Sequence, residues 1–123
     1  MIPWRLLIGS RGERLAARHL KGLGYRIIQA NHRSQSGELD LVAVQGDVLV
    51  FCEVKTRSGV DSGHPGEAID HFKRQQLLRE AEVFLQSHPQ WSRHACRFDA
   101  VLLHRNGKAW RVEVISDAFQ PGW

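Results

Sequence analysis

The stretch Gly37-Glu38-Leu39-Asp40-Leu41-Val42-Ala43-Val44-Gln45, followed across Gly46-Asp47 by Val48-Leu49-Val50-Phe51-Cys52-Glu53-Val54-Lys55, decides the fold of this chain. Two apolar-rich runs flank a glycine-containing dipeptide, which is typical of a β-hairpin. With a two-residue loop Gln45 opposes Val48, and a four-residue loop keeps the same register, whereas a three-residue loop breaks it. This register predicts that Asp40 lies opposite Glu53.

The same register predicts that charges gather on one face of the hairpin. Glu38 would lie opposite Lys55, and opposed residues of an antiparallel pair share a face with Cβ atoms roughly 5 Å apart. Asp40 and Glu53 would repel each other there, while Glu38 and Lys55 would attract. We expect the opposite face to belong to the core, because it carries Leu39, Leu41, Cys52 and Val54.

Two carboxylates in such apolar strands favour a divalent cation. Mg²⁺ (or Mn²⁺) prefers oxygen ligands, commonly takes one or two carboxylates, and leaves positions for a phosphate oxygen and a water. Lys55 follows Glu53 by two residues and could orient that water or stabilise charge on the phosphate. The alternative is a hairpin with one solvated face whose charges have no role, since the D…ExK spacing is common by chance.

Composition indicates one globular domain over residues 1–123. The chain has 42% hydrophobic residues and four Trp, which argues against disorder. It has no apolar run long enough to span a membrane and no signal-peptide pattern. Cys52 and Cys96 lack metal-type spacing and are expected to be reduced, which fits a cytoplasmic protein.

The charge balance indicates a polyanionic partner. Lys and Arg number 17 and Asp and Glu 13, a formal net charge of +4. If several acids gather at one metal site, the remaining surface is more basic than this total suggests. Such a surface suits nucleic acid.

The order of predicted elements is αβββαββ. Periodicity and capping signals predict helices over Arg11–Leu23 and Glu67–Ser87. The expected inner side of the second helix carries Ile69, Phe72, Leu77, Phe84 and Leu85. Strands are predicted over Tyr25–His32, the two hairpin runs, Cys96–His104 and Ala109–Ile115, with a loop over Ser58–Gly66 and a tail over Phe119–Trp123. This order predicts an α/β sandwich in which helices cover both faces of a mixed sheet.

Further candidate residues are single charged side chains at positions that suggest a structural or functional role. Glu13 lies three and seven residues before Ala16 and Leu20, so it shares their inward stripe; it is either a favourable charge at a helix N-terminus or a further metal ligand. Asp99 lies in an apolar strand, where a structural hydrogen bond is favoured over catalysis. The seven His show no zinc-ligand spacing. Candidate phosphate contacts are Arg57, Lys73 and Gln75, whereas Arg74 is expected on a solvated face.

An ordered set of motifs along the chain resembles the YraN family of small bacterial proteins. The motifs are Gly12-Glu13, Gly24-Tyr25, Gly37-Glu38-Leu39-Asp40, Glu53-Val54-Lys55-Thr56-Arg57, Lys73, Arg97-Phe98-Asp99 and Asp117-Ala118-Phe119. That family is in turn similar to the PD-(D/E)XK nucleases, whose restriction-endonuclease-like core has the order αβββαβ and which include archaeal Holliday-junction resolvases. Leu39 stands where the superfamily's name has a proline, which many members lack.

The resemblance implies a site. Asp40 and Glu53 would be the metal-binding acids, Lys55 the catalytic lysine, and the backbone carbonyl of Val54 a further metal ligand. Glu13 matches the acid that resolvase-like members carry on their first helix. Resolvases of this fold act as dimers, so a homodimer is a candidate assembly, although no dimer signal is legible here.

Three functions follow as hypotheses. The first is a Mg²⁺-dependent endonuclease acting on DNA, with branched repair or recombination intermediates as candidate substrates. The second is a non-catalytic nucleic-acid-binding module that retains the nuclease fold. The third and least supported is an interaction protein that assembles through Trp110 and Trp123.

Overall fold

The computed structural model describes residues 11–35, 37–58 and 69–119, without the side chains of Arg57 and Ser58. Within these residues, two helices and five strands follow one another in the predicted order αβββαββ, with a short 3₁₀ turn over Pro89–Trp91. The helices are α1 (Arg11–Gly22) and α2 (His71–Ser87). The strands are β1 (Arg26–Ser34), β2 (Gly37–Gln45), β3 (Val48–Ser58), β4 (Ala95–Asn106) and β5 (Ala109–Phe119).

The strands form one mixed sheet in the order β1-β2-β3-β4-β5. The pair β3–β4 is parallel and is connected through α2, whereas the other neighbouring pairs are antiparallel. A parallel pair needs a crossover connection, and here a helix supplies it. The predicted mixed sheet is therefore confirmed.

The hairpin register is confirmed for the half nearest the turn. Gln45 pairs with Val48, and the ladder continues to Leu41 opposite Cys52. Gly46 has φ +60° in the turn, a conformation that glycine adopts without steric cost. Beyond the Leu41–Cys52 pair, β2 is paired only with β1, and β3 is paired only with β4, as far as Ser58. The two hairpin strands thus part at a fork that begins directly after Leu41 and Cys52.

Each face of the sheet is covered by one helix. On one face α1 buries Ala16, Ala17 and Leu20 against Leu41, Ala43, Val50, Cys52, Val101 and Leu103. On the other face α2 buries Leu77, Ala81 and Phe84 against Val42, Val44, Phe51, Phe98 and Leu102. The predicted α/β sandwich is confirmed, and this five-stranded mixed sheet with flanking helices is consistent with a restriction-endonuclease-like core.

Helix α1 ends close to the predicted boundary. Gly24 has φ +94°, and the backbone N–H of Tyr25 donates to the carbonyl of Leu20 at 3.0 Å. A glycine in this left-handed conformation satisfies the last carbonyls of a helix and turns the chain away. The stripe prediction for Glu13 also holds, since Ala16 and Leu20 are fully buried.

Helix α2 begins four residues later than predicted. Asp70 is extended, with φ −76° and ψ 172°, and its side chain accepts a hydrogen bond from the backbone N–H of Lys73, so it caps the helix. Ile69 is buried ahead of the helix rather than within it.

The prediction that Phe72 faces the core is wrong, because its side chain is 78% exposed. Arg74 is half-buried rather than solvated: its Nε donates to the carbonyl of Ile69 at 3.0 Å and its guanidinium lies 5.7 Å from the Phe119 ring centroid.

Strand β5 extends four residues beyond the predicted end. Asp117 has φ +56°, and this irregularity lets the strand continue to the buried Phe119. Trp110 packs against the α1-side core, with Arg105 5.5 Å from its ring centroid, so it offers little free aromatic surface. Trp123, Glu67 and positions 59–66 of the predicted loop lie outside the described residues. Both Cys52 and Cys96 are free thiols, as predicted.

A search of the described residues for a membrane-spanning helix, one both long and apolar enough, finds none.

Candidate metal centre

The strand alternation of β1 and β2 reverses at the fork. Ala30 of β1 and its partner Leu41 of β2 both pack on the α1 side of the sheet. The next pair, His32 and Leu39, lies on the α2 side: His32 contacts Phe84 of α2, and Leu39 packs with Val42 and Val44. The prediction that Leu39 shares a face with Leu41 is therefore wrong. Between them lie Asn31 and Asp40, and Asn31 has φ +53°, a left-handed conformation that Asn tolerates better than most residues.

This reversal turns the side chain of Asp40 toward β3. Its Oδ2 accepts a hydrogen bond from the backbone N–H of Val54 at 2.8 Å. A side-chain carboxylate thus bridges the two strands where their own ladder has ended. Burial raises the pKa of Asp40, and the Val54 hydrogen bond and the Lys73 ammonium oppose that rise.

Glu53 is the more deeply buried acid. It is 5% exposed, and its Oε2 is buried and accepts no hydrogen bond from the described residues. Burial, together with the neighbouring Asp40, raises the pKa of Glu53 to about 8, and Lys73 only partly offsets the rise. Asp40 and Glu53 are within hydrogen-bonding reach of each other. We assign the shared proton to Glu53, since the Val54 N–H favours the charged form of Asp40.

A lysine from α2 completes the cluster. The Nζ of Lys73 lies 3.5 Å from Oε1 of Glu53, and the two side chains are 29% and 6% exposed. Lys73 lies in the first turn of α2, and its backbone N–H is held by the Asp70 cap at 2.8 Å. The cap of α2 therefore sets the position from which Lys73 reaches the acids.

Glu13 approaches the same cluster from α1. Burial and the Asp40 charge raise the pKa of Glu13, and a side-chain hydrogen bond from Asn31 opposes that rise. The described residues contain no group of three or more His, Cys, Asp and Glu side chains arranged to hold a metal. Glu13 as a direct third ligand remains a prediction.

Asn31 is a residue of this cluster that was not predicted from the sequence. Its side chain binds Glu13, its backbone carries the strand reversal, and it lies on β1 between the residues that pair with Leu39 and Leu41. A signal was present in the sequence, because Asn is disfavoured in strands and is among the residues that most readily take positive φ.

Gly37, at the start of β2, makes room for α2. Its φ is +147°, and a Cβ at this position would overlap the side-chain amide of Gln76. Glycine here therefore permits both the backbone conformation and the close approach of the helix that carries Lys73.

Glu38 does not pair with Lys55 as predicted. The hairpin ladder ends before these residues, and Oε2 of Glu38 accepts from Nε of Arg33 on β1 at 2.9 Å. Lys55 is exposed, and strand alternation places it on the same side of β3 as Glu53. Lys55 is therefore an exposed lysine two residues along β3 from Glu53.

The other predicted site residues lie around this cluster. Val54 is held through its N–H, and its carbonyl as a ligand remains a prediction. Arg57 pairs through its backbone with His104 of β4, and its side chain lies outside the described part of the structure. Gln75 is half-buried on α2, two residues beyond Lys73. As phosphate contacts, Arg57, Lys73 and Gln75 remain predictions.

Asp99 has the structural role that the sequence favoured. It is fully buried on β4 and accepts hydrogen bonds from the Tyr25 hydroxyl at 2.8 Å and from Nε of Arg97 at 2.8 Å. It also accepts the backbone N–H of Asp117 at 2.9 Å, at the irregularity in β5. Asp99 thereby ties β4 to β5 and to the start of β1.

The donor set at the fork fits a hard divalent cation. Two carboxylates meet in a buried setting where they repel each other, and one carboxylate oxygen of Glu53 accepts no hydrogen bond from the described residues. Mg²⁺ and Mn²⁺ are commonly bound by one or two carboxylates with water in the remaining positions. Asp40 and Glu53 are thus the residues that would hold the metal.

Comparisons with known proteins agree on one family. The family model described as uncharacterised protein family UPF0102 matches residues 12–103. The chain is 50% identical to a UPF0102 protein of Magnetococcus marinus over 94% of this chain and 93% of that protein. It is 41% identical to a UPF0102 protein of Stutzerimonas stutzeri over 91% and 93% of the two chains, and 37% identical to one of Chlorobaculum tepidum over 94% and 93%.

The match spans α1, the fork and most of β4, and so includes Glu13, Asp40, Glu53, Lys55, Lys73 and Asp99. The chain belongs to the UPF0102 family, also called the YraN family.

Proposed function

We propose that this chain is a metal-dependent nuclease that hydrolyses phosphodiester bonds in DNA. The observation that carries the proposal is the buried approach of Asp40 to Glu53 at the fork between β2 and β3. Two like charges in a low-dielectric setting are costly unless a proton or a cation compensates them. The proposal of phosphodiester hydrolysis over a purely structural role is supported by this pair, by the exposed Lys55 two residues after Glu53, and by a sheet consistent with a restriction-endonuclease-like core.

Each side chain near the fork would have a distinct role in phosphodiester hydrolysis. Asp40, oriented by the Val54 N–H, and Glu53 would hold Mg²⁺ or Mn²⁺. Such an ion, when bound, supplies charge neutralisation at the phosphate and lowers the pKa of bound water. Lys55, exposed on the same side of β3 as Glu53, would orient the attacking water or stabilise charge on the phosphate. Glu13, near Asp40, would assist directly or through water.

DNA is the proposed substrate on grounds of charge. The chain has a formal net charge of +4, while several of its acids gather around the fork. The surface elsewhere is therefore more basic than the total, which suits a polyanion. Branched DNA of repair and recombination comes from the resemblance to junction resolvases and is the first substrate to test.

A non-catalytic nucleic-acid-binding module is the second candidate. The Lys73–Glu53 ion pair favours it, because an internal cation already compensates part of the acid charge. Salt-sensitive DNA binding that Mg²⁺ leaves unchanged, with no cleavage of any substrate, would support this module.

The decisive experiment is a cleavage panel with single-residue variants. Branched, single-stranded and duplex DNA are incubated with Mg²⁺ or Mn²⁺ and with wild type, Asp40→Asn, Glu53→Gln or the exposed helix variant Glu82→Gln. We expect cleavage by wild type and by Glu82→Gln, and a loss of about 100-fold or more in Asp40→Asn and Glu53→Gln. Cleavage that survives both site changes would refute the assignment.

A further inference from the structure

The cation nearest to the two acids belongs to the chain itself. Lys73 places its Nζ 3.5 Å from Oε1 of Glu53, a carboxylate that is almost fully buried. No other salt bridge to Asp40 or Glu53 is found among the described residues, and Lys55, the lysine of the ExK motif, is exposed. A side chain of α2 therefore supplies a positive charge directly beside Glu53.

Simultaneous contact of an ammonium and a divalent cation with Glu53 is electrostatically unfavourable. A metal lies about 2 Å from its carboxylate oxygens. An ammonium left 3.5 Å from Oε1 would then face a doubly charged ion at a few ångströms in a partly buried site. Like charges at such distances repel by roughly 1 kcal/mol per unit product even in water, and by more where water is excluded.

Lys73 is able to leave Glu53 and bind a phosphate instead. Its four-carbon stem is flexible, its side chain is 29% exposed, and an ammonium binds phosphate as a compact point charge. It also lies in the first turn of the 17-residue helix α2, where the aligned peptide dipoles favour an anion. A freed Lys73 would therefore present a positive charge to phosphate close to the two acids.

We propose that Lys73 is a displaceable internal counter-ion: it pairs with Glu53 in the metal-free protein, leaves when a divalent cation binds, and then contacts a DNA phosphate. This proposal rests on the proposed function, which it deepens by making DNA affinity depend on the metal through one side chain. Lys73 is a binding residue for the phosphate and a competitor of the metal.

Metal binding without DNA is the first test. Mn²⁺ binding is measured by electron paramagnetic resonance for wild type, Lys73→Met, Lys73→Gln and the matched control Lys21→Met, an exposed lysine at the far end of α1. Both Lys73 variants are expected to bind Mn²⁺ roughly tenfold more tightly than wild type, and Lys21→Met to match wild type. Equal or weaker Mn²⁺ binding by both Lys73 variants would overturn the proposal.

DNA binding with and without metal is the second test. Affinity for a branched DNA is measured in EDTA and in Ca²⁺ at fixed ionic strength, and the change is compared between variants, because Ca²⁺ acts as a counterion of the DNA in the same way for each of them. Wild type and Lys21→Met are expected to bind more tightly in Ca²⁺, and the Lys73 variants to lose most of that gain. A gain that persists in both Lys73 variants contradicts the exchange.

The outcomes separate this inference from the proposed function. Mn²⁺ binding that is tight in wild type and unchanged in the Lys73 variants leaves the metal centre standing and removes only the counter-ion role. If wild type does not bind Mn²⁺ at all while remaining folded by circular dichroism, both the metal centre and the counter-ion exchange fail.

Discussion

At the scale of single residues, the surroundings of Asp40 and Glu53 differ from those of ordinary surface charges. Glu53 is an acid on a strand whose neighbours Phe51 and Cys52 are buried. Asp40 is less deeply buried than Glu53, and it accepts a hydrogen bond from the Val54 N–H, which stabilises a carboxylate. A pair of acids held in unequal settings can share one proton and release it when a cation arrives.

The raised pKa of Glu53 makes folding stability depend on pH. Its pKa is about 8 in the folded chain against an ordinary value of 4.5, so the folded state binds more protons between these values. The free energy of unfolding should therefore fall as pH rises from about 4.5 to about 8, by an amount on the order of a few kcal/mol. Urea unfolding at several pH values, without metal, measures the slope.

Glu53→Gln should flatten that slope, because the amide does not titrate. The charges that face Glu53 are Asp40 and Lys73, and Asp40→Asn should flatten the slope in part. The exposed Glu82→Gln on α2 is the matched control and should keep the wild-type slope. A steep fall retained by Glu53→Gln would show that another group is responsible.

At the scale of elements, the capped start of α2 couples local structure to the site. Asp70 is extended and satisfies the N–H of Lys73, the same residue that contacts Glu53. The periodic pattern predicted that the helix begins at Glu67. This start was too early because hydrophobic periodicity does not show which residue caps a helix. Phe72 is exposed because it lies five residues before Leu77, and at about 3.6 residues per turn this separation puts the two side chains roughly 140° apart around the helix.

Removal of the α2 cap should loosen the first turn. Asp70→Ala is expected to lower the free energy of unfolding by about 1 kcal/mol, whereas Asp70→Asn, which can still accept the Lys73 N–H, should lose less than half of that. Thermal unfolding monitored by circular dichroism measures both. Equal losses in the two variants would mean that the charge of Asp70, rather than its cap, matters.

At the scale of the molecule, one buried acid holds distant parts of the sheet together. Asp99 on β4 joins the hydroxyl of Tyr25, the guanidinium of Arg97 and the backbone of Asp117. Arg97 in turn donates to the side chain of Gln45 at 2.6 Å, beside the hairpin turn. The same polar cluster therefore touches the starts of β1 and β4, the end of β2 and the irregular end of β5.

Asp99→Asn should destabilise the whole fold rather than the site alone. The change leaves the largely buried Arg97 without its carboxylate, so we expect a loss of about 3 kcal/mol, against about 1 kcal/mol for Tyr25→Phe. If residues 1–123 form one domain, urea unfolding followed by fluorescence and by circular dichroism gives a single coincident transition in each variant. A loss under 1 kcal/mol in Asp99→Asn would show that solvent replaces the ion pair.

Much of the architecture followed from local patterns. The order αβββαββ, the Gly46-Asp47 turn and the register near it were predicted correctly, because turn chemistry and period-two alternation act over a few residues. The inward stripe of Glu13, Ala16 and Leu20 was correct for the same reason. The strand ends and the start of α2 were less accurate, since caps and bulges set boundaries without changing the hydrophobic period.

The sequence by itself determined which residues are candidates, namely Asp40, Glu53, Lys55, Glu13 and Lys73, and that Asp40 lies close to Glu53. Only the tertiary structure decided how they meet. The ladder between β2 and β3 ends at Leu41 and Cys52, so Asp40 reaches Glu53 across a fork rather than across a paired hairpin. The ion pair of Glu38 with Arg33 and that of Lys73 with Glu53 each depend on contacts between elements. Such contacts arise from packing and from competition for hydrogen bonds, which no local pattern records.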